Sequence, residues 1–318
     1  MNRNTNADLE KHEPLTRTLP RASTGRFRAR FRVQVGPLGL TLPSLILLGL
    51  FLAYPILTAV IDSFRSGSLI SGVYGGTSVG LANYSTVLSS GSFWDSVLFS
   101  FIFSLAAVGG SYVVGLALAL LLEDPLPGRN VIRLLLLLPW VTPFVVSLLS
   151  WTWLLSLTSG LGDTITRALG LGTVLFLSQS TPAVVTIIIV KIWLSYPFMY
   201  VILSAGLTGI DPVVYEAAAI DGASRHARIR YVTLPLLHDV SFLACTLLVI
   251  FTVNDFVTPW LLTGGGPLGA TTNLIVYGYN YVFREFERGP GDVVAVLTAL
   301  AMVALSGGMM VHLRRRAR

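Results

Sequence analysis

Six apolar stretches, each long enough to cross the hydrocarbon core of a bilayer, run along this chain at about Leu38–Ile61, Val97–Leu122, Val131–Leu155, Pro182–Ala205, Val240–Leu262 and Val293–His312. A helical crossing takes about 20 predominantly apolar residues. Inside lipid no water is present to hydrogen-bond a bare peptide group, so a crossing segment has to satisfy its own backbone. The expected fold is therefore all-α, a polytopic membrane protein built as a six-helix transmembrane bundle spanning residues 38–312. The composition agrees. Of 318 residues, 53% are hydrophobic and only 12% charged, whereas a water-soluble domain carries about 25% charged residues. This chain lacks the charge to cover a water-facing surface.

The net charge of +6 would raise nucleic acid as a partner in a soluble protein. Here the placement of the charge argues against nucleic acid and for membrane orientation. Eight of the 22 basic residues precede the first apolar stretch, and Arg314, Arg315, Arg316 and Arg318 close the chain. If the N-terminus is inside, the inside segments hold seventeen arginines and lysines, and the outside loops hold four (Arg65, Arg167, Arg284 and Arg288). An excess of basic residues marks cytoplasmic loops, so both termini are expected in the cytoplasm of a multi-pass protein of the cell membrane. About 37 polar and basic residues come before the first stretch, more than the charged region of a cleavable signal. Residues 1–37 are therefore read as a cytoplasmic tail, disordered in part, and 313–318 as a second basic tail.

Several chemistries lack their residues. The lone cysteine, Cys245, excludes an intramolecular disulfide and reads as a small buried apolar residue. The four histidines, His12, His226, His238 and His312, are too scattered for a metal site, and no nucleophile constellation is visible. The two lysines, Lys11 and Lys191, are followed by His12 and Ile192, so no phosphate-cradling G-x-x-x-x-G-K-[ST] loop exists. No catalytic residue, metal or bound cofactor is expected in this chain.

The inside loop 206–239 is longer than a turn requires and carries Asp211, Glu216, Asp221, Arg225, Arg228 and Arg230. Asp211 can cap a helix and Pro212 suits its first position, where a missing N–H costs nothing. A short helix is expected over Val213–Asp221, stopped by Gly222. A second helical stretch and Pro235 then lead into the fifth span. The middle of the first helix, Ala217-Ala218-Ala219, is small and smooth, with Glu216 and Asp221 on its flanks. Such a knob can enter a cleft on a partner protein. On spacing alone an ordinary interfacial amphipathic helix is an equal reading.

Glu216-Ala217-Ala218, then Asp221-Gly222-Ala223, then Leu234-Pro235 resemble the EAA signature of ABC importer permeases. The departure is Ile229, which stands where the family usually has phenylalanine and keeps the site apolar and bulky. Leu262-Thr263-Gly264-Gly265-Gly266-Pro267 is similar to the T-G-G-G-P turn of carbohydrate permeases of the maltose and glycerol-3-phosphate type. Trp193, Pro197-Phe198 and Asn254-Asp255-Phe256 also resemble segments of sugar permeases. The resemblance implies that Glu216, Ala217, Ala218, Asp221, Gly222 and Ala223 form a coupling helix that docks into an ATPase subunit. It further implies a second permease subunit, two copies of the ATP-binding subunit and an extracytoplasmic solute-binding protein. ATP and Mg would be used by that ATPase partner. The solute would be a sugar, with a polyol or glycerol phosphate as alternatives. A membrane enzyme or an ATP-independent carrier is the rival class. The first needs clustered catalytic groups, and the second has no use for a coupling helix.

Charges within a span are costly and mark functional candidates. Lys191 lies midway along the fourth stretch and Asp255 in the outer half of the fifth. They either face a solute cavity or pair with one another or with a partner. Trp193, Tyr196, Tyr200 and Trp260 offer faces on which a sugar ring could stack, although interface belts use the same residues, Trp260 most of all. Tyr196, Tyr200, Asn254 and Asp255 are the candidates for the solute pathway.

Overall fold

In the computed structural model, residues 37–68, 76–123, 127–156, 160–170 and 172–316 are described, with backbone alone at 37–40 and 312–316. The N-terminal tail of the sequence analysis, 1–36 apart from Pro37, lies outside the described residues. The chain divides into a short unit, Met1–Gly49, and a main unit, Leu50–Arg318. The described part of the first unit is helical, as α1 (Pro37–Leu48). A π-helical turn covers Gly49–Ala53, and α2 is Tyr54–Asp62.

The helices that follow are α3 (Ala82–Ser89), α4 (Gly91–Leu121), α5 (Arg129–Leu136), α6 (Leu138–Val141), α7 (Phe144–Leu154), α8 (Leu161–Ala168) and α9 (Ser180–Thr208). They continue as α10 (Pro212–Ile220), α11 (Arg225–Arg228), α12 (Leu234–Val253), α13 (Val257–Thr263), α14 (Leu274–Phe283) and α15 (Arg288–Arg316). No named strand occurs among the described residues. Among the described residues, five helical stretches are long and apolar enough to cross a membrane: Thr41–Asp62, Gly91–Leu121, Ser180–Thr208, Arg225–Val253 and Arg288–Val311.

The third apolar stretch is not one helix. Pro139 sits in the first turn of α6, and Pro143 is the N-cap of α7. Thr142, before Pro143, is extended with ψ 139°, because the proline ring disfavours the helical region for its predecessor. The stretch is thus assembled from α5, α6 and α7. The fifth stretch is also broken, between α12 and α13. Pro197, by contrast, is carried inside α9 without interruption. Three stretches outside the six apolar runs fold as helices, α3, α8 and α14. Each is too short to read as a crossing and lies among turn-forming residues.

The main unit is organised around α4 and α9, which cross closely because glycines face bulk. A Cβ on Gly115 would lie 2.6 Å from the Met199 Cβ, and one on Gly206 would lie 2.6 Å from Leu237 Cδ1 of α12. Small residues at such crossings let helices pack in lipid, where apolar burial alone gives no drive to associate. One core joins α4, α9 and α12 through Val108, Leu122, Met199, Leu203, Leu237 and Leu248. A second joins α4, α7, α9 and α13 through Phe103, Leu148, Ile187, Val190 and Leu262. A third packs α3, α14 and α15 against the start of α4 through Val87, Phe93, Tyr277 and Val293.

Candidate functional site

Two constructions stand out, one in the loop between α9 and α12 and one inside the bundle.

The loop is built as its residues dictate. The Asp211 carboxylate accepts from the Val213 N–H at 2.9 Å, which satisfies a donor at the open end of α10, and Pro212 occupies the first turn. At the other end Gly222 takes φ 78°. Its N–H donates to the Ala219 carbonyl at 3.1 Å, and the Ala223 N–H donates to the Ala218 carbonyl at 3.0 Å. This pair of bonds, with a left-handed residue just past the helix, is a Schellman stop. Ser224 then caps α11 by accepting from the Ala227 N–H at 3.3 Å. The Tyr215 and Thr233 hydroxyls lie 3.2 Å apart and tie the back of α10 to the π-helical turn Ile229–Thr233, which leads into α12.

What α10 presents is small and open. Glu216, Ala217, Ala219, Asp221 and Gly222 are exposed, Ala218 and Ala223 are half-buried, and Ile220 is 87% exposed. No residue of α10 is buried. A short, doubly capped helix therefore displays an alanine surface edged by two carboxylates, with an apolar tip at Ile220. Ile229 is half-buried beneath it. The surface holds no nucleophile–base pair, and among the described residues no cluster of metal ligands exists.

The second construction centres on Asp255. Lys191 of α9 reaches across to it with Nζ 2.7 Å from Oδ2, and the two side chains are 8% and 5% exposed. Asp255 also accepts from the Thr258 N–H at 3.0 Å and from the Thr258 hydroxyl at 2.5 Å. Its backbone carbonyl accepts from Asn273 Nδ2 at 2.6 Å, and Asn273 Oδ1 in turn accepts from the Val276 N–H at 2.9 Å. The carboxylate thus caps the first turn of α13 while its charge is neutralised from α9, and the backbone carbonyl of the same residue holds the start of α14. A buried charge survives when it is both paired and hydrogen-bonded. Of the alternatives open from the sequence, pairing of Lys191 with Asp255 is the observed one. Thr258 and Asn273 complete this hub and were not singled out from the sequence. Their only signals were an Asp-x-x-Thr spacing and an asparagine ahead of an apolar run, both common.

The other pathway candidates are dispersed. Tyr196 is half-buried, and its hydroxyl donates to the Leu136 carbonyl at 3.0 Å. Tyr200 is buried in the core shared by α4, α9 and α12. Asn254 is exposed, and its amide donates to the Ile250 carbonyl of its own helix at 2.8 Å. Trp193 packs edge-on against Trp151 at 5.5 Å. Trp260 sits between Phe256 and Tyr279, with Arg284 4.8 Å from its ring.

Residues 111–318 match the family described as binding-protein-dependent transport system inner membrane component. The chain is 37% identical to the trehalose/maltose transport system permease protein MalF of Thermococcus litoralis, over 72% of this chain and 77% of that one. It is 33% identical to the sulfoquinovosyl glycerol transport system permease protein SmoG of Agrobacterium fabrum, over 83% and 84%. Its fold resembles a chain of a bacterial alginate ABC transporter, solved in complex with an alginate pentasaccharide-bound periplasmic protein. That match has a TM-score of 0.73 and 21% identity, covering 87% of this chain and 93% of that one. The family match covers more than half of the chain, and the sequence relatives are aligned over most of their own length. The protein is a member of the binding-protein-dependent transport system inner membrane component family, a multi-pass permease of the ABC importer class.

Proposed function

We propose that this permease imports a sugar or sugar-like solute, handed over by an external binding protein and driven by ATP hydrolysed on a separate subunit. The observation that carries the reading is α10. Its two caps fix a short helix whose exposed face is alanine edged by Glu216 and Asp221, a shape suited to entering a cleft. Glu216, Ala217, Ala218, Asp221, Gly222 and Ala223 are the residues assigned to contact the ATPase. The chain itself carries no phosphate-binding loop, so ATP and Mg belong to that partner. Closure of two ATPase copies would draw the coupling helices of two permeases together and switch a cavity between them from inward- to outward-facing. The excess of basic residues on the α10 side supports a cytoplasmic position for that loop and both termini. The sugar assignment is supported by the solutes for which the relatives are named, trehalose/maltose and sulfoquinovosyl glycerol.

Engagement of the Asp255 carboxylate by Lys191 and Thr258 supports an assembly role for this residue. Asn254 is exposed and keeps its side-chain oxygen for a solute, and Tyr196 and Tyr200 remain pathway candidates. The test is reconstitution with the cognate ATPase and binding protein in vesicles. ATP-dependent accumulation of trehalose, maltose or a related glycoside is expected. Accumulation of glycerol 3-phosphate with no sugar would move the solute class. Failure of the ATPase to co-purify with the permease would overturn the importer reading.

A further inference from the structure

Away from α10 and the Asp255 hub, a cleft of about 470 Å³ lies between the start of α4, the start of α9, the loop 264–272 and α14. The volume falls within the roughly 300–1,000 Å³ of small-ligand sites. It is on the side of the bundle opposite α10, the outer side under the proposed orientation. Ser92, Asp95 and Asn280 line it, and the Ser92 hydroxyl, the Asp95 carboxylate and the Asn280 amide nitrogen, none of them hydrogen-bonded to another described residue, are open to it. Asn280 Oδ1 itself is shut off from solvent, so the amide presents its nitrogen to the cleft. The lining is otherwise largely apolar, with the buried ring of Phe99 one turn along α4 from Asp95 and the half-buried Val184 of α9. Among the described residues that line the cleft there is no lysine, arginine or histidine, and the one charged group is the Asp95 carboxylate.

We infer that this cleft is an outer subsite for one glycosyl unit of a neutral sugar, occupied before the solute reaches the interior of the bundle. The inference rests on the importer reading above. A pyranose has the two faces the cleft asks for. Its C–H face packs on apolar side chains, and its hydroxyls supply donors for the Asp95 carboxylate and acceptors for the Ser92 hydroxyl and the Asn280 amide N–H. An acidic solute finds no cation to pair with and meets a carboxylate, so phosphorylated and uronic sugars are disfavoured.

The test uses the intact reconstituted importer in a Cys245→Ser background with Ser92→Cys at the rim. A membrane-impermeant maleimide is added from outside in the presence of glucose, maltose, trehalose, glucose 6-phosphate or choline. At least one of the three neutral sugars should slow labelling, and the phosphate ester and choline should not. Asp95→Asn and Asn280→Leu should each raise the sugar concentration needed for protection about five- to tenfold, the loss of one hydrogen bond. Asp95→Asn is the conservative change and keeps the experiment decisive should Asn280→Leu disturb folding. Protection by choline alone overturns the ligand class. Unchanged protection in both variants overturns the site. Uptake of the same sugars into the same vesicles separates the two readings. Accumulation without protection refutes the subsite and leaves the importer intact, whereas absence of any sugar accumulation refutes the sugar reading itself.

Discussion

Gly222 offers a graded perturbation of the coupling loop. It adopts φ 78°, and a Cβ built on it meets nothing within 4 Å. Substitution therefore creates no clash, and its cost is purely that of placing an L-residue in the left-handed region. For alanine this is about 1–2 kcal/mol. A β-branched residue pays more, because such positions are genuine outliers for branched side chains. Asparagine tolerates the region and recovers much of the loss. Relief of the strain requires opening the turn, which gives up the bonds from Gly222 to Ala219 and from Ala223 to Ala218, each worth about 1 kcal/mol. The correctly stopped α10 should then fall in population by roughly 5- to 30-fold with alanine. No spanning helix is touched, so membrane insertion should match the wild type. Two measurements check this: amide exchange across Ala217–Ala223, and ATPase affinity together with coupled uptake in vesicles. Exchange should accelerate, and affinity should fall, in the order glycine, asparagine, alanine, valine. A valine variant with wild-type coupling, or an asparagine variant worse than valine, would refute the claim that this turn positions the docking residues.

Further outcomes follow from other parts of the structure. Ala218→Glu should leave expression unchanged yet abolish ATPase co-purification, since a cleft fitted to alanine would bury an unpaired charge next to Glu216. Asp255→Asn should cost about 3–5 kcal/mol by leaving Lys191 buried and unpaired. The double variant with Lys191→Met should recover most of that in a denaturation series, and additive losses would argue against the pair. Gly115→Val should destabilise the crossing of α4 and α9, where an added Cβ would lie 2.6 Å from the Met199 Cβ, by about 1–3 kcal/mol, read as a lowered denaturation temperature of the solubilised permease. Cysteine scanning should label Gly222→Cys only from the cytoplasm and Gly265→Cys only from outside, and the reverse pattern would invert the proposed orientation.

The features legible in the sequence are those set by residues near one another in the chain. Apolar length announces spanning helices, because lipid forces each segment to satisfy its own backbone. The caps of α10 follow from Asp211, Pro212 and Gly222 alone, since capping and a positive φ are local matters. The breaks at Pro139 and Pro143 were likewise written locally, although the sequence did not reveal that they split the third stretch while Pro197 leaves α9 whole. That difference depends on what neighbouring helices offer the freed backbone groups. The partner of Lys191 lies 64 residues away, so the pairing that closes one of the two alternatives for Asp255 required the tertiary structure. The same holds for the cleft of Ser92, Asp95 and Asn280, which joins α4 to α14 across most of the chain. Polar side chains of ordinary type carry no signal of convergence. Only the packing of glycines and small residues along α4 and α9 decides which of them end up facing one another.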